Sequence, residues 1–281
     1  MSNHAASGGA AAAAGLTGTR TSRAAEAAGR GVVNFSLGLL ILAAFWWLGG
    51  YLIAMNPKTQ SFAGFGLVQT LQSFPELWNL GKLQKAIAAS MYRLGGGLVI
   101  AIIIGVPIGI IMGRSKRFRD LSNSAFQFLR MISPLSWMPI AVFVFKAWDD
   151  SIIFLIAIAS VWPVMFSTAA GLSKVDPAWF KVARNLGATT IQMLTRIILP
   201  AISFDIFTGI RLALGVAWVV LVPAELLGVT SGLGYAIKDA RETLSYDHLT
   251  AMVLTIGVIG YSLDTICALL IKRFSWHRGD A

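Results

Sequence analysis

Three stretches of this chain, Gly31 to Pro57, Leu94 to Gly113 and Ser151 to Ser173, contain no charged side chain. A helix needs about 20 apolar residues to cross about 30 Å of hydrocarbon, so each stretch is long enough to span a bilayer. Three more match that length with ionisable residues inside. Leu121 to Phe145 carries Arg130, Ile202 to Leu227 carries Asp205, Arg211 and Glu225, and Leu249 to Ile271 carries Asp264. The expected fold is therefore an all-α membrane protein with six transmembrane helices. Only 13% of the residues are charged, against about 25% in soluble domains. That leaves too little polar surface to wrap a water-soluble core and excludes an ordinary globular enzyme.

An even number of crossings puts both termini on one side, and the Lys and Arg distribution says which. The first 30 residues, the second and fourth connections and the C-terminus hold Arg20, Arg23, Arg30, Arg114, Lys116, Arg117, Arg119, Lys174, Lys181, Arg184, Arg196, Lys272, Arg273 and Arg278. The odd connections hold only Lys58, Lys82, Lys85, Lys146, Lys238 and Arg241. By the positive-inside rule both termini face the cytoplasm. The formal charge of +10 thus reads as membrane topology, and a nucleic-acid partner is not expected.

Residues 1–30, rich in Ala, Gly, Ser and Thr, cannot bury enough surface to fold and read as a disordered cytoplasmic tail. Residues 31–281 then form the permeating domain. A cleaved secretory signal is the competing reading of the tail and first span, but the apolar stretch is too long for one and no A-x-A-like site follows. Between the first two spans, Phe74-Pro75-Glu76 opens a segment with Leu77, Leu80, Gln84 and Ile87 on one side and Lys82 and Lys85 on the other. It reads as an interfacial amphipathic helix or a loop.

Gly105, Gly109 and Gly113 recur every four residues, which places them on one helix face as a packing seam. Pro107, Pro134, Pro139 and Pro163 can each kink a helix. Arg130 and Arg211 lie about ten residues inside their spans. They either meet an oxyanion, for which a guanidinium offers paired donors, or tie helices together through carbonyls or through Asp205 or Asp264. Glu225, after Pro223, either lines the outer mouth or caps a loop. With them, Pro134, Trp137 and Trp218 complete the candidate pathway set. Cys267 and the three histidines have no metal-ligand spacing, so no metal is expected.

The one long cytoplasmic connection, residues 174–200, is organised. Asp176 is an N-cap, Pro177 suits the first helical position, and Gly187 ends the helix. Trp179, Val182, Ala183 and Leu186 form an apolar stripe, with Lys181, Arg184 and Asn185 opposite. A second helix starts at Thr189, which has capping-box spacing to Gln192, and Pro200 restarts the chain into the next span.

Val182-Ala183, Gly187, nine residues, then Ile197-Ile198-Leu199-Pro200 resembles the signature loop of ABC importer permeases, Glu-Ala-Ala-x3-Gly-x9-Ile-x-Leu-Pro. Lys181 stands where the family's Glu usually is, and Val182 replaces an Ala. Arg130-Met131-Ile132-Ser133-Pro134-Leu135-Ser136-Trp137-Met138-Pro139 resembles a stretch of the nitrate, sulfonate, taurine and bicarbonate branch, as do Thr208 to Trp218 and Ala224 to Leu227. Val161-Trp162-Pro163 through Gly171 leans towards the nitrate and bicarbonate members. The resemblance implies a type I ABC importer permease of the bacterial inner membrane, paired two-fold with a second, identical or similar permease. It also implies two ATP-binding subunits that engage the connection and a periplasmic substrate-binding protein. The chain has no G-x-x-x-x-G-K-[ST] motif, so ATP and magnesium belong to the partner ATPases and this chain holds no cofactor. The expected cargo is a small oxyanion, nitrate first and bicarbonate or an alkanesulfonate such as taurine next, with guanidinium or a urea-like solute as the alternative. A secondary transporter or a membrane enzyme would need coupling-ion or catalytic sets. The nearest candidate, Asp149 and Asp150 with Lys146, reads as a solvated outer turn.

Overall fold

The computed structural model describes residue 30 and residues 33–274, so the tail expected over residues 1–30 lies outside the described residues but for Arg30. Five helices are long and apolar enough to cross a membrane, and a bent pair makes a sixth crossing if counted as one. The helices are α1 (Val33–Met55), α2 (Leu67–Asn79), α3 (Lys82–Arg114), α4 (Lys116–Met131), α5 (Met138–Phe145), α6 (Trp148–Ser173), α7 (Pro177–Asn185), α8 (Thr190–Gly228), α9 (Leu233–Glu242) and α10 (Tyr246–Phe274).

The chain divides into two units, residues 1–71 and 72–281. In the first, α1 exposes Leu40, Leu42 and Phe45, as a helix solvated by lipid should. Its Trp46 Nε1 donates to the Phe65 carbonyl at 2.8 Å, and Gly50 lets the backbone at Gly66 approach, where a Cβ would lie 2.7 Å from the Gly66 Cα.

The second unit is built on α3, α6 and α8. The apolar runs fix these helices in the membrane, but packing there needs small residues, because lipid offers no hydrophobic drive between helices. The glycine face of α3 meets α6 in parallel. A Cβ at Gly105 would lie 3.0 Å from the Val161 carbonyl oxygen, one at Gly109 2.5 Å from that of Met165, and one at Gly113 2.8 Å from the Leu172 Cβ. Helix α8 runs antiparallel to α6: Gly209 faces Ser167, and Gly171 faces Asp205. Leu155, Ile156, Ala217 and Leu221 fill the centre. The α3–α6 seam carries a direct expectation. Gly109→Val should lower the melting temperature of the detergent-purified protein, since a backbone carbonyl cannot yield and overpacking costs about 1–3 kcal/mol. Gly95→Val, where a Cβ meets nothing within 4 Å, should melt like the parent. Equal melting of the two variants would contradict the seam.

Three sequence expectations change. The span over Leu121 to Phe145 is not one rod, because α4 and the segment Pro134–Phe145 are bent by 87°. Pro134 disfavours helical backbone at the residue before it, and Ile132 and Ser133 are extended. The segment after Phe74 is not one amphipathic helix or a loop but parts of two helices. Helix α2 continues through Pro75, Gly81 breaks it with φ +68°, and Leu77 is buried against Leu83, Ala86 and Met252. Finally, Pro200 does not interrupt the chain. The second loop helix and the fifth span are one 39-residue helix, in which the π-helical stretch Met193–Ile198 accommodates a residue without an N–H.

Candidate functional site

The break between α4 and α5 opens a cavity of about 430 Å³ between the end of α4, the extended turn, α6 and α8. Arg130, Pro134 and Trp137 line it with Trp162, Pro163, Phe166 and Ser167 of α6 and Leu212 and Val216 of α8. The last turn of α4 brings Arg130 to the edge, and its guanidinium lies 5.6 Å from the centroid of the Phe166 ring. Aromatic faces hold a cation without neutralising it. Arg130 is the one charged residue in the lining, and no carboxylate opposes it. Such a cavity suits a small anion that needs one strong donor and otherwise dry walls.

The other three candidate pathway residues lie elsewhere. The Arg211 Nε and Nη2 donate to the two carboxylate oxygens of Asp264, both at 2.7 Å, which spends its paired donors on tying α8 to α10. Trp218 packs against Gly260, where a Cβ would lie 2.6 Å from its Nε1. Glu225 is fully buried and accepts from the Gly234 N–H at the start of α9, which fits the loop-capping alternative of the two the sequence left open.

Glu225 instead belongs to a polar cluster at the end of the bundle where α3 and α6 begin and α8 ends. Arg93 of α3 is only 2% exposed, yet its guanidinium makes four hydrogen bonds and a further ion-pair contact. Its Nη1 donates to Glu225 Oε1 at 2.6 Å and to the Ser231 carbonyl at 2.8 Å, and its Nη2 to the Ser231 Oγ at 2.7 Å. Nε and Nη2 both reach Asp149 Oδ1, at 2.8 and 2.7 Å. Glu225 further accepts from Ser90 Oγ at 2.9 Å and from the Gly234 N–H at 2.9 Å, while Ser90 Oγ accepts from the Leu233 N–H. Gly232, at φ +108°, brings its backbone against both charged groups, where a Cβ would lie 2.6 Å from Arg93 Nη1. The α8–α9 connection is thereby pinned to three helices. Asp149, expected in a solvated group with Asp150 and Lys146, is one partner of this buried guanidinium. Sequence reasoning missed the cluster; an Arg near a Gly-Gly-Gly run and a remote Glu inside a span were its only signals.

At the opposite end lies the connection over residues 174–200. Asp176 caps α7 by accepting from the Ala178 N–H at 2.8 Å, and Pro177 occupies the first turn. The helix closes in a Schellman motif: the Ala188 N–H donates to the Ala183 carbonyl and the Gly187 N–H to the Arg184 carbonyl, each at 3.0 Å. Gly187 has φ +77°, a conformation that costs other residues. One residue later Thr189 starts α8 with a reciprocal capping box to Gln192. Ala183 is buried with Phe180 partly so, against Leu172, Met193, Ile198 and Ile202. The remaining stripe, Trp179, Val182 and Leu186, faces outward at 59%, 58% and 82% exposure. Amphipathic spacing therefore marks a face open to a partner here, with only Ala183 of the expected stripe turned inward. Lys181 and Asn185 are exposed, and Leu199 and Pro200 continue α8 beyond the loop. Lys174 Nζ donates to Asp205 Oδ1 at 2.9 Å and fastens the end of α6 to α8.

Residues 105–276 match the family model described as binding-protein-dependent transport system inner membrane component. The chain is 37% identical over 184 residues to a bicarbonate transport system permease protein of Synechococcus elongatus, covering 65% of this chain and 66% of that one. It is 32% identical over 252 residues to the taurine transport system permease protein of Escherichia coli, covering 87% and 90%. Among solved structures, the MetNI methionine ABC transporter in inward-facing conformations aligns with a TM-score of 0.58 at 14% identity, over 72% of this chain and 99% of that chain.

Proposed function

Because the chain belongs to the family of binding-protein-dependent transport system inner membrane components, multi-pass proteins of the inner membrane, we propose that it is the membrane-spanning subunit of an ATP-driven importer for a small oxyanion. The observation that carries the cargo class is the 430 Å³ cavity at the α4–α5 break, with Arg130 as its single charge. A planar guanidinium matches the two-oxygen edge of nitrate or bicarbonate and also a sulfonate. Nitrate is the first choice, with bicarbonate and taurine next. The names of the bicarbonate and taurine relatives support the anionic class.

In this reading two copies of the chain pair about a two-fold axis and place two Arg130 side chains along the path. The end bearing α7 faces the cytoplasm, as do both termini. A separate ATPase subunit, which carries ATP and magnesium, takes the outward face of α7 formed by Trp179, Val182 and Leu186. Closing of the two ATPases displaces α7, and the displacement enters α8 directly, because one glycine turn and one residue separate the helices. A continuous helix of 39 residues, about 58 Å at 1.5 Å per residue, carries the motion across the membrane. Rigid-body rocking then alternates access to the cavity. A periplasmic binding protein docks at the other end, on the α8–α9 connection that Arg93 and Glu225 hold in place, and delivers the solute.

The test is uptake by the assembled importer in proteoliposomes, with nitrate, bicarbonate, taurine and guanidinium compared. ATP-dependent accumulation of an oxyanion is expected, with Arg130→Ala lowering it about tenfold or more and Arg130→Lys retaining part of it, since a hydrogen bond to a charged group contributes about 1.5–3 kcal/mol. Uptake without ATP, or preference for guanidinium, refutes the proposal.

A further inference from the structure

A second, more strongly basic pocket lies at the α7 end of the bundle, where α3 and α6 end. It is an open recess of about 580 Å³ between α7 and the elbow that joins α3 to α4, and Arg114, Arg119, Lys181 and Arg184 line it with no acidic residue among the lining. Two of the four are held by neutral groups. Arg119 donates from Nε to the Met112 carbonyl and from Nη2 to the Gly113 carbonyl, each at 3.1 Å, closing the end of α3. Arg114 stacks over the Phe180 ring, 5.7 Å from its centroid. Carbonyls and a ring position a cation but leave its charge in place. Among the described residues, none of the four is paired with a carboxylate. Four like charges gathered around one recess repel one another, and an anion in the recess relieves that.

The depth of the recess indicates which anion. Arg114 directly follows the charge-free run Leu94 to Gly113, so the recess sits where α3 leaves the hydrocarbon, at the headgroup layer. Leu172, Val175 and Phe180 supply an apolar wall beside the charges, as a diacyl lipid requires and a free ion does not. The pocket is also distinct from the docking face of α7. At 100° per residue, Pro177, Phe180, Lys181 and Arg184 lie about 180° around the helix from Trp179, Val182 and Leu186, so a protein seated on the exposed apolar face leaves the basic face turned to the elbow.

We propose that this pocket binds a phosphate group, supplied by the headgroup of an anionic phospholipid, which bridges α7 to the α3–α4 elbow. Such binding needs only the membrane setting and holds whatever solute is carried. The test is native mass spectrometry of the full-length protein in neutral detergent, with phosphatidylglycerol and phosphatidylcholine of equal chain length. Phosphatidylglycerol should be retained about tenfold or more over phosphatidylcholine, and the pair Lys181→Gln and Arg184→Gln should remove that preference. The pair Lys116→Gln and Arg117→Gln, at the same end but outside the lining, should keep it, and melting curves of both pairs should match the parent. Inorganic phosphate is the soluble arm. If it raises the melting temperature of delipidated protein through Lys181 and Arg184 while phosphatidylglycerol is not preferred, the phosphate site stands and its lipid source is overturned. If neither probe responds to Lys181 and Arg184, the whole proposal is overturned. It is overturned equally if those residues matter only for retaining the ATPase subunit, which would make the pocket a seat for acidic protein side chains.

Discussion

Replacing Glu225 with alanine should be among the most damaging single changes in this chain, lowering the melting temperature in detergent by on the order of 10 °C. Its partner Arg93 is 2% exposed and makes its shortest contact, 2.6 Å, with Glu225. Removing one member of a buried pair strands the other charge without water and typically costs about 3–5 kcal/mol. Asp149 remains as a partner, but its side chain is 55% exposed, so this half-solvated contact offsets only part of the loss. Ser90 and the Gly234 N–H also lose their acceptor. The double variant Arg93→Met with Glu225→Leu separates charge from packing. Apolar residues of similar volume in place of a buried ion pair are often neutral or stabilising, so the double variant should recover most of the melting temperature. It should still lose binding-protein-dependent transport, because Ser231 then loses both hydrogen bonds to Arg93 and the α8–α9 connection is held less tightly. A Glu225→Ala protein that melts within a degree or two of the parent would mean that water reaches this pair and that the cluster is not a structural anchor.

What could be read from the chain in advance was the chemistry that is local. Span lengths follow from runs of apolar residues, and the caps of α7 follow from Asp176, Pro177 and Gly187, because each of these acts on groups within a few positions of itself. The glycines of α3 announced a close-packed face but not its partner, since any helix with a complementary surface would serve. Pro134 and Pro139 marked a weak point in the third span, whereas the 87° bend depends on what α4 and α5 pack against. Least legible was the Arg93–Glu225 pair, 132 positions apart in sequence. Each is a lone charge near the end of an apolar run in the sequence, and only the parallel crossing of α3 with α6 and the return of α8 bring them together. The stripe on α7 was visible as a pattern, yet a pattern alone does not say whether it turns to the core or away. Here Phe180 and Ala183 supply the inward contact, and Trp179, Val182 and Leu186 are left exposed.

That outward face makes Gly187→Val the sharpest test of how motion enters the bundle. Gly187 sits at φ +77°, where an L-residue costs about 1–2 kcal/mol and a β-branched one more. No side chain or neighbouring helix crowds the position, since a Cβ there meets nothing within 4 Å. The penalty is therefore purely conformational and acts on the Schellman closure that sets the angle between α7 and α8. A strain of that size shifts the closed turn towards open alternatives about tenfold. In the proposed importer α7 would still bind its ATPase through Trp179, Val182 and Leu186, but its displacement would be absorbed in the loosened turn before reaching α8. ATP-driven uptake should fall about tenfold or more, and stimulation of ATP hydrolysis by solute-loaded binding protein should disappear, while the unstimulated hydrolysis rate persists. Gly187→Asn should lie much nearer the parent, because asparagine tolerates the left-handed conformation. The ordering Gly, Asn, Val in coupled uptake, at constant subunit assembly, is the signature of a rigid elbow. Equal uptake by all three would show that the hinge angle between α7 and α8 is not what the motor drives.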